Sequence, residues 1–169
     1  MLNLVKSEEA AKYTADIVMA HQCNDDQTIV DRAIAILDSR IKSHETTITS
    51  PADTINYLRL KLSHFEHEVF CCIFLDNRHR VICFEEMFRG TIDGASVHPR
   101  EIVKQALAHN AAAVILAHNH PSGTTAPSRA DAQITQRIKA ALALVDIRVL
   151  DHLIIGDGPA LSLAEHGLV

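Results

Sequence analysis

Apolar residues occur along this chain in two patterns, continuous runs and stripes of helical spacing. The clearest continuous run follows Glu68, from Val69 to Leu75, and a second extends from Ala111 to Ala117. Short continuous runs are typical of strands that are covered on both faces. We therefore expect four strands and a very short fifth one that begins at Leu161. The four cover residues 68–75, 80–88, 111–118 and 147–155.

Helical stripes separate these strands, and most begin at recognisable start signals. Ser50 and Pro51 offer an N-cap hydroxyl followed by proline at the first helical position, Pro99 opens a second helix, and Ser128 caps a third. The helices are expected at residues 51–64, 99–109 and 128–145. In the second helix, the residues predicted to face inward are Ile102, Val103, Ala106 and Leu107. Strands that alternate with helices predict an α/β fold, a mixed β-sheet flanked by helices.

The first part of the chain has a different character. Two helical stripes, at residues 7–21 and 24–41, precede a polar, β-branched segment at 43–49 that is typical of a linker. We therefore divide the chain into an N-terminal helical appendage, residues 1–45, and a main domain, residues 46–169. Near the end, the segment 162–165 has the spacing of a capping box and predicts a final helical turn.

Composition limits the classes of function. A chain of 169 residues with a net charge of −5 suits one domain with a small appendage, and it has no overall attraction for nucleic acid. Its four cysteines form no CxxC pair, and Cys71 and Cys72 should point to opposite faces of one strand. Without a disulfide framework or a signal peptide, we expect a cytoplasmic protein. No apolar run approaches the roughly 20 residues of a membrane span.

The chemistry is concentrated where the third strand runs into the third helix. His118 and His120 are two residues apart at the strand end and should project to the same side. Asp131 lies in the first turn of the helix, where the helix dipole favours an anion. Two imidazoles, a carboxylate and an open position are typical of a catalytic zinc site. The residues also allow simpler interpretations, in which Asp131 only caps the helix with Ser128 and Pro121 begins an ordinary turn.

Glu68 is the candidate general base. A carboxylate at the start of an otherwise apolar strand is not needed for folding, and burial would disfavour its ionised form. That character suits a group that accepts a proton from water near a metal. Glu66 is a rival for this role, and a solvated position at the mouth of the strand is the structural alternative.

The order and spacing of these residues resemble the JAMM motif of the MPN-type metalloproteases: Glu68, His118-x-His120, Ser128 and Asp131. The segments around these residues resemble those of a narrower group, the RadC family, and this resemblance covers residues 51–169. The segments that carry it are Val97-His98-Pro99-Arg100-Glu101, His118-Asn119-His120-Pro121-Ser122-Gly123, Pro127-Ser128-Arg129-Ala130-Asp131 and Leu150-Asp151-His152-Leu153-Ile154-Ile155-Gly156.

The resemblance implies an MPN/JAMM-like fold, with layers similar to those of cytidine deaminases, and one Zn²⁺ per chain bound by His118, His120 and Asp131. It implies that Glu68 shuttles the proton and that Ser128 stabilises the oxyanion, in a zinc metallopeptidase that cleaves peptide or isopeptide bonds. The substrate, a protein or peptide, is not identified. Full-length relatives usually carry an N-terminal helix-hairpin-helix-type domain, for which residues 1–45 are too short. The chain thus resembles the short RadC-like proteins often associated with mobile elements.

Five further residues in these segments have predicted roles. His98 is expected to cap the helix that follows it, and Asp151 or His152 to support the metal site from behind or to be satisfied within the core. Arg100 would bind a substrate carboxylate or an acidic neighbour. Asn119 should point away from the two ligands and fix the loop.

Other functions stay open at this point. The DNA-repair label of the RadC family suggests a nucleic-acid-related protein, although the acidic charge gives that idea little support. A module that keeps the metal but only binds a protein partner is a further alternative. A zinc deaminase is disfavoured because the H-x-E and P-C-x-x-C signature is missing. The ligand set would also accept manganese, nickel or cobalt, and the oligomeric state, a homodimer included, is left open.

Overall fold

The computed structural model describes residues 26–39, 51–91 and 96–169. The chain divides into two compact units, Met1–Ile36 and Leu37–Val169. A helix, α1, covers residues 26–39 and agrees with the second predicted helix. The helix predicted at 7–21 and the linker predicted at 43–49 lie outside the described residues, and the domain boundary at 45/46 stays a prediction.

A five-stranded mixed sheet forms the centre of the second unit. Its order is β2-β1-β3-β4-β5, with β3 and β4 parallel and the other neighbours antiparallel. Because parallel neighbours need a crossover connection, a helix, α4 (Arg129–Ala143), joins β3 to β4. The strands are β1 (Val69–Leu75), β2 (Val81–Arg89), β3 (Ala113–Asn119), β4 (Arg148–Ile155) and β5 (Leu161–Ser162).

Helices cover both faces of this sheet. Helix α2 (Pro51–Leu62) packs on one face, in a cluster with Cys71, while α3 (Pro99–Ala108) and α4 pack on the other, in a cluster with Cys72. All seven residues of β1 are therefore buried, as its continuous apolar run predicts. The predicted α/β architecture and the opposite orientations of the two adjacent cysteines are confirmed.

One local prediction is wrong. Leu107 does not face inward and is 54% exposed, because it lies about 100° around the helix from the buried Ala106. After β5 the chain makes a single hydrogen-bonded turn at residues 163–167, where the capping-box spacing predicts one. The Glu165 amide donates the capping bond to Ser162 Oγ at 3.1 Å, and the turn ends at Gly167, whose φ is 69°.

Candidate metal centre

The candidate site lies where the end of β3 meets the start of α4. His118 is the sixth residue of β3, pairs with Phe70 of β1 and is 1% exposed. His120 follows the strand directly, and Asp131 occupies the first turn of α4. The strand and helix thus bring three side chains together across a connecting loop, as the sequence predicts.

The three potential ligand atoms are close together. His118 Nε2 lies 2.9 Å from His120 Nε2 and 3.4 Å from Asp131 Oδ1, and His120 Nε2 lies 3.7 Å from Asp131 Oδ2. Ligand atoms of a tetrahedral zinc site are roughly 3.3 Å apart, since each lies about 2.0–2.1 Å from the ion. The observed spacing therefore fits a small cation at the centre of the group.

Asp131 also takes part in a complete capping box. Its backbone amide donates to Ser128 Oγ at 3.1 Å, and its Oδ2 accepts from the Ser128 amide at 2.6 Å. The cap holds the carboxylate in one rotamer, with Oδ1 toward His118. Asp131 therefore caps the helix, which is the simpler of the two interpretations. The cap also places its carboxylate beside the histidines, so capping does not exclude the proposed metal binding.

A chain of hydrogen bonds behind His118 fixes its tautomer. Thr135 Oγ1 donates to the Asp131 carbonyl at 2.6 Å, so it accepts from His152 Nδ1, which is also 2.6 Å away. The unprotonated Nε2 of His152 then accepts from His118 Nδ1 at 2.8 Å. With its proton on Nδ1, neutral His118 presents a bare Nε2 to the site.

The tautomer of His120 is fixed in the same sense. Its Nδ1 lies 2.9 Å from the Thr124 carbonyl, which can only accept, so this nitrogen carries the proton. Two bare Nε2 atoms therefore face each other beside a carboxylate. Lone pairs in this arrangement repel each other unless a cation lies between them, and the donor set, two imidazoles and a carboxylate, suits zinc and related divalent metals.

Burial keeps His118 and His152 neutral. It lowers the pKa of His118 to about 4, with His120 acting in the same direction and Asp131 opposing it. Burial, followed by the charges of His118 and His120, holds the pKa of His152 well below its usual range. Neutral imidazole is the form that coordinates a metal.

The ligand cluster opens into a cleft of about 850 Å³. Glu68 and Ser128 line this cleft together with His120 and Asp131. Glu66, the rival base, is exposed and is not among the lining residues. The fold therefore favours Glu68, although its role in a reaction stays a prediction.

Asn119 positions the segment that carries Glu68. Its Oδ1 accepts from the Val69 amide at 2.8 Å, and its Nδ2 donates to the His67 carbonyl at 3.0 Å and to the Phe65 carbonyl at 3.4 Å. The side chain points away from the two histidines and fixes the loop, as predicted, and the loop it fixes is the one that leads into β1.

The loop after His120 depends on a close approach of two backbone segments. Gly123 has φ of 79°, and a Cβ atom there would lie 2.2 Å from a carboxylate oxygen of Asp157. The Gly123 amide donates to the His120 carbonyl, and its carbonyl accepts from the Asp157 amide, both at 3.0 Å. The positive φ of Gly123 is the reason that glycine is favoured at this turn.

Asp151, His152 and Arg100, which also had predicted roles, have different partners in the structure. His152 supports the site, whereas Asp151 binds Ser162 Oγ and the amides of His152 and Ala164. Arg100 is 87% exposed and pairs with its acidic neighbour Glu101.

The prediction that His98 caps its helix is wrong. His98 occupies the N-cap position but makes no side-chain capping bond. Its ring lies against Phe88 and lines the cleft instead, because the imidazole packs on an aromatic neighbour rather than on the helix start.

A protein-family profile described as RadC-like JAB domain matches residues 48–168. The chain belongs to this family. The match covers the whole sheet and every candidate site residue, so the predicted family is confirmed.

Curated relatives of this RadC-like domain are similar over the same region. A UPF0758 protein of Nitrosococcus oceani is 70% identical over 122 residues, 72% of this chain and 54% of the relative. UPF0758 proteins of Thioalkalivibrio sulfidiphilus and Stutzerimonas stutzeri are 66% and 55% identical, covering 72% and 83% of this chain. The chain spans 54% and 62% of those two relatives.

Thr135 is a residue of the candidate site that the sequence analysis did not single out. Its hydroxyl joins His152 to the Asp131 carbonyl and is completely buried. The spacing of Thr135 indicates its position. It lies four residues after Asp131 and three before Ile138, so its hydroxyl lies on the core-facing side of α4.

Proposed function

We propose that this RadC-like domain is a zinc-dependent hydrolase of amide bonds in peptides or isopeptide linkages. The observation that carries the proposal is the pair of bare Nε2 atoms beside a capped carboxylate, opening into a cleft that also holds Glu68 and Ser128. Membership of the RadC-like JAB family supports it. The curated relatives carry the name UPF0758, which states no activity.

His118, His120 and Asp131 would hold the zinc ion. Bound zinc lowers the pKa of a coordinated water and polarises a carbonyl oxygen. Three protein ligands would leave a position for water, the arrangement of catalytic rather than structural sites, and His120 and Asp131 line the cleft. Thr135 and His152 keep His118 in the tautomer that binds a metal.

Glu68 and Ser128 would supply the remaining chemistry. Glu68 accepts a proton from the attacking water and later delivers it to the leaving amine. Ser128 Oγ already accepts a hydrogen bond from the Asp131 amide, so its O–H proton is available to donate to the developing oxyanion. Both side chains line the same cleft as the ligand cluster.

The proposed substrate is a protein or peptide segment. The cleft is open to solvent, and its walls mix apolar side chains such as Phe70 and Ile134 with polar ones such as Gln133. An open, mixed cleft suits an extended chain better than a small enclosed ligand. Arg137 is the lining residue with a permanent positive charge.

Elemental analysis of the purified chain is the first test. We expect about one zinc per chain in the wild type and almost none in a His118→Ala, Asp131→Ala double variant. A wild type that contains no metal and fails to bind added zinc would sink the hydrolase proposal.

A peptide and isopeptide library, read by mass spectrometry, is the second test. Glu68→Gln should retain zinc and lose at least about 100-fold in cleavage rate, because it removes the proton acceptor. Glu66→Gln is the matched control, since it makes the same change at an exposed carboxylate outside the cleft. Equal cleavage by wild type and Glu68→Gln would show that another group is the base.

A nucleic-acid-related role is the alternative proposal. The net charge of −5 works against phosphate binding. Salt-dependent DNA binding that falls when surface arginines are replaced would favour it over the hydrolase.

A further inference from the structure

A second group of metal-ligating side chains lies outside the site described above. Cys83 and Glu85 stand on β2, and His109 stands at the C-cap of α3. One ligand atom from each lies within 4.8 Å of the other two. Among the described residues, this trio and the His118 site are the two groups with such geometry.

The fold brings the trio together between an edge strand and a helix end. Cys83 and Glu85 are two residues apart on β2 and share a face of the sheet. Cys83 pairs with Phe74 of β1, and the ring of His109 lies 5.0 Å from the ring of Phe74. His109 Nε2 lies 2.7 Å from Glu85 Oε1, and all three residues are half-buried.

The trio is separate from the first site. On β1, Phe70 pairs with His118 and Phe74 pairs with Cys83. Four residues of strand separate the two levels by roughly 13 Å. An ion at the trio would therefore share no ligand with His118, His120 and Asp131.

We propose that Cys83, Glu85 and His109 bind a divalent transition-metal ion, zinc or a metal of similar ligand preference. Thiolate, imidazole and carboxylate are the protein ligands that zinc combines in tetrahedral sites, and water would take the fourth position. His109 Nε2 and Glu85 Oε1 would have to separate by roughly 0.6 Å to reach the spacing of two zinc ligands. Both side chains are partly exposed, at 26% and 33%, so this adjustment is open to them.

The electrostatic setting favours a cation. The C-terminal end of a helix attracts positive charge, and His109 lies there.

An ion at this position would tie α3 to β2. The residues that lead into α3, Ser96 to His98, line the cleft of the first site, while its opposite end carries His109. A bound metal would therefore add stability and hold the helix that borders the cleft. This inference does not depend on the proposed hydrolase function.

Cobalt titration of the full chain tests the proposal, because the first site contains no sulfur. The chain should carry Cys23→Ser to remove a thiol that lies outside the described residues. We expect Co²⁺ to produce a near-ultraviolet thiolate-to-cobalt charge-transfer band that saturates at one equivalent beyond that taken by the first site. Cys83→Ser should abolish this band and keep the visible absorption of the first site.

Two further variants keep the test decisive if Cys83→Ser fails to fold. His109→Gln and Glu85→Gln should each weaken cobalt binding at the trio by more than about 100-fold. Removing a residue that only hydrogen-bonds to a ligand lowers metal affinity by about 10–100-fold, and removing a ligand itself lowers it further. Glu86→Gln, the next residue on β2 and opposite Cys71, is the matched control and should bind like the parent. No charge-transfer band at millimolar cobalt, or a band that survives in Cys83→Ser, would overturn the proposal.

Discussion

At the scale of single residues, the position of one proton decides what the candidate site can do. A histidine binds a metal only through an unprotonated nitrogen. Here the hydroxyl of Thr135, used as a donor toward the Asp131 carbonyl, sets the direction of every bond from His152 to His118. The helix that carries Asp131, the proposed carboxylate ligand, therefore also fixes the tautomer of the buried imidazole of His118.

Thr135→Val tests this arrangement at constant side-chain size. We expect zinc affinity to fall about 10–100-fold, because His152 loses its acceptor and no longer fixes the His118 tautomer. The measurement is competition with a chromophoric chelator. Unfolding free energy should fall by about 1–3 kcal/mol, the cost of a buried donor left without a partner.

Two variants separate this effect from general destabilisation. Thr135→Ser retains the hydroxyl and should restore most of the zinc affinity. Thr54→Val makes the same change at a buried threonine of α2, on the other face of the sheet, and should leave zinc affinity unchanged. Wild-type zinc affinity in Thr135→Val would show that the hydrogen-bond chain has no influence on the ligand.

At the scale of elements, the β1–β2 hairpin is closed by a single carboxylate. Asp76 accepts hydrogen bonds from the amides of Arg78 and Arg80 and pairs with the Arg80 guanidinium at 2.6 Å. His79, with φ of 59°, completes the turn. The bonds from the Arg80 amide and side chain and the Arg78 amide hold the pKa of Asp76 below its usual 3.8.

Asp76→Asn should therefore make the chain less stable in a pH-dependent way. A carboxyl group with a lowered pKa in the folded state stabilises the fold above its unfolded pKa of 3.8, and this contribution is lost as the pH falls through the folded value. Urea midpoints should differ between variant and wild type at about pH 7 and converge toward about pH 3. A difference that stays constant across this range would contradict the charge-based explanation.

At the scale of the whole molecule, Leu37 and Asp38, the part of α1 that belongs to the second unit, contact other residues of that unit. Leu37 packs against the cluster that contains Leu58 and Leu62. Asp38 accepts from the Tyr57 hydroxyl at 2.9 Å and pairs with Lys61 at 2.8 Å. The family match nevertheless begins at residue 48, after this helix. Among the described residues, none of the helices has the length and apolar character needed to cross a membrane.

A chain of residues 46–169 tests the predicted domain boundary. We expect it to fold and to bind zinc at the His118 site, since the sheet and all ligands are retained. Its urea midpoint should be lower than that of the full chain, because Tyr57 and Lys61 lose their partner. Circular dichroism and zinc titration give the result, and a shortened chain that remains unfolded would move the boundary toward the N-terminus.

The sequence by itself determined the main elements and the identity of the candidate ligands. Periodicity and start signals are local properties, so the covered strand β1, the cap at Ser128 and the orientations of Cys71 and Cys72 could be predicted from short segments. The spacing of His118, His120 and Asp131 placed them near one strand–helix junction for the same reason.

Only the tertiary structure decided which distant residues complete the sites. His118 meets His152 34 positions away, and Val69 meets Asn119 50 positions away. Cys83 of β2 lies close to His109 at the end of α3. These contacts depend on strand order, register and helix docking, which place residues from separate segments side by side. The hydrophobic periodicity of a short segment does not predict that placement, because it depends only on residues that are neighbours along the chain.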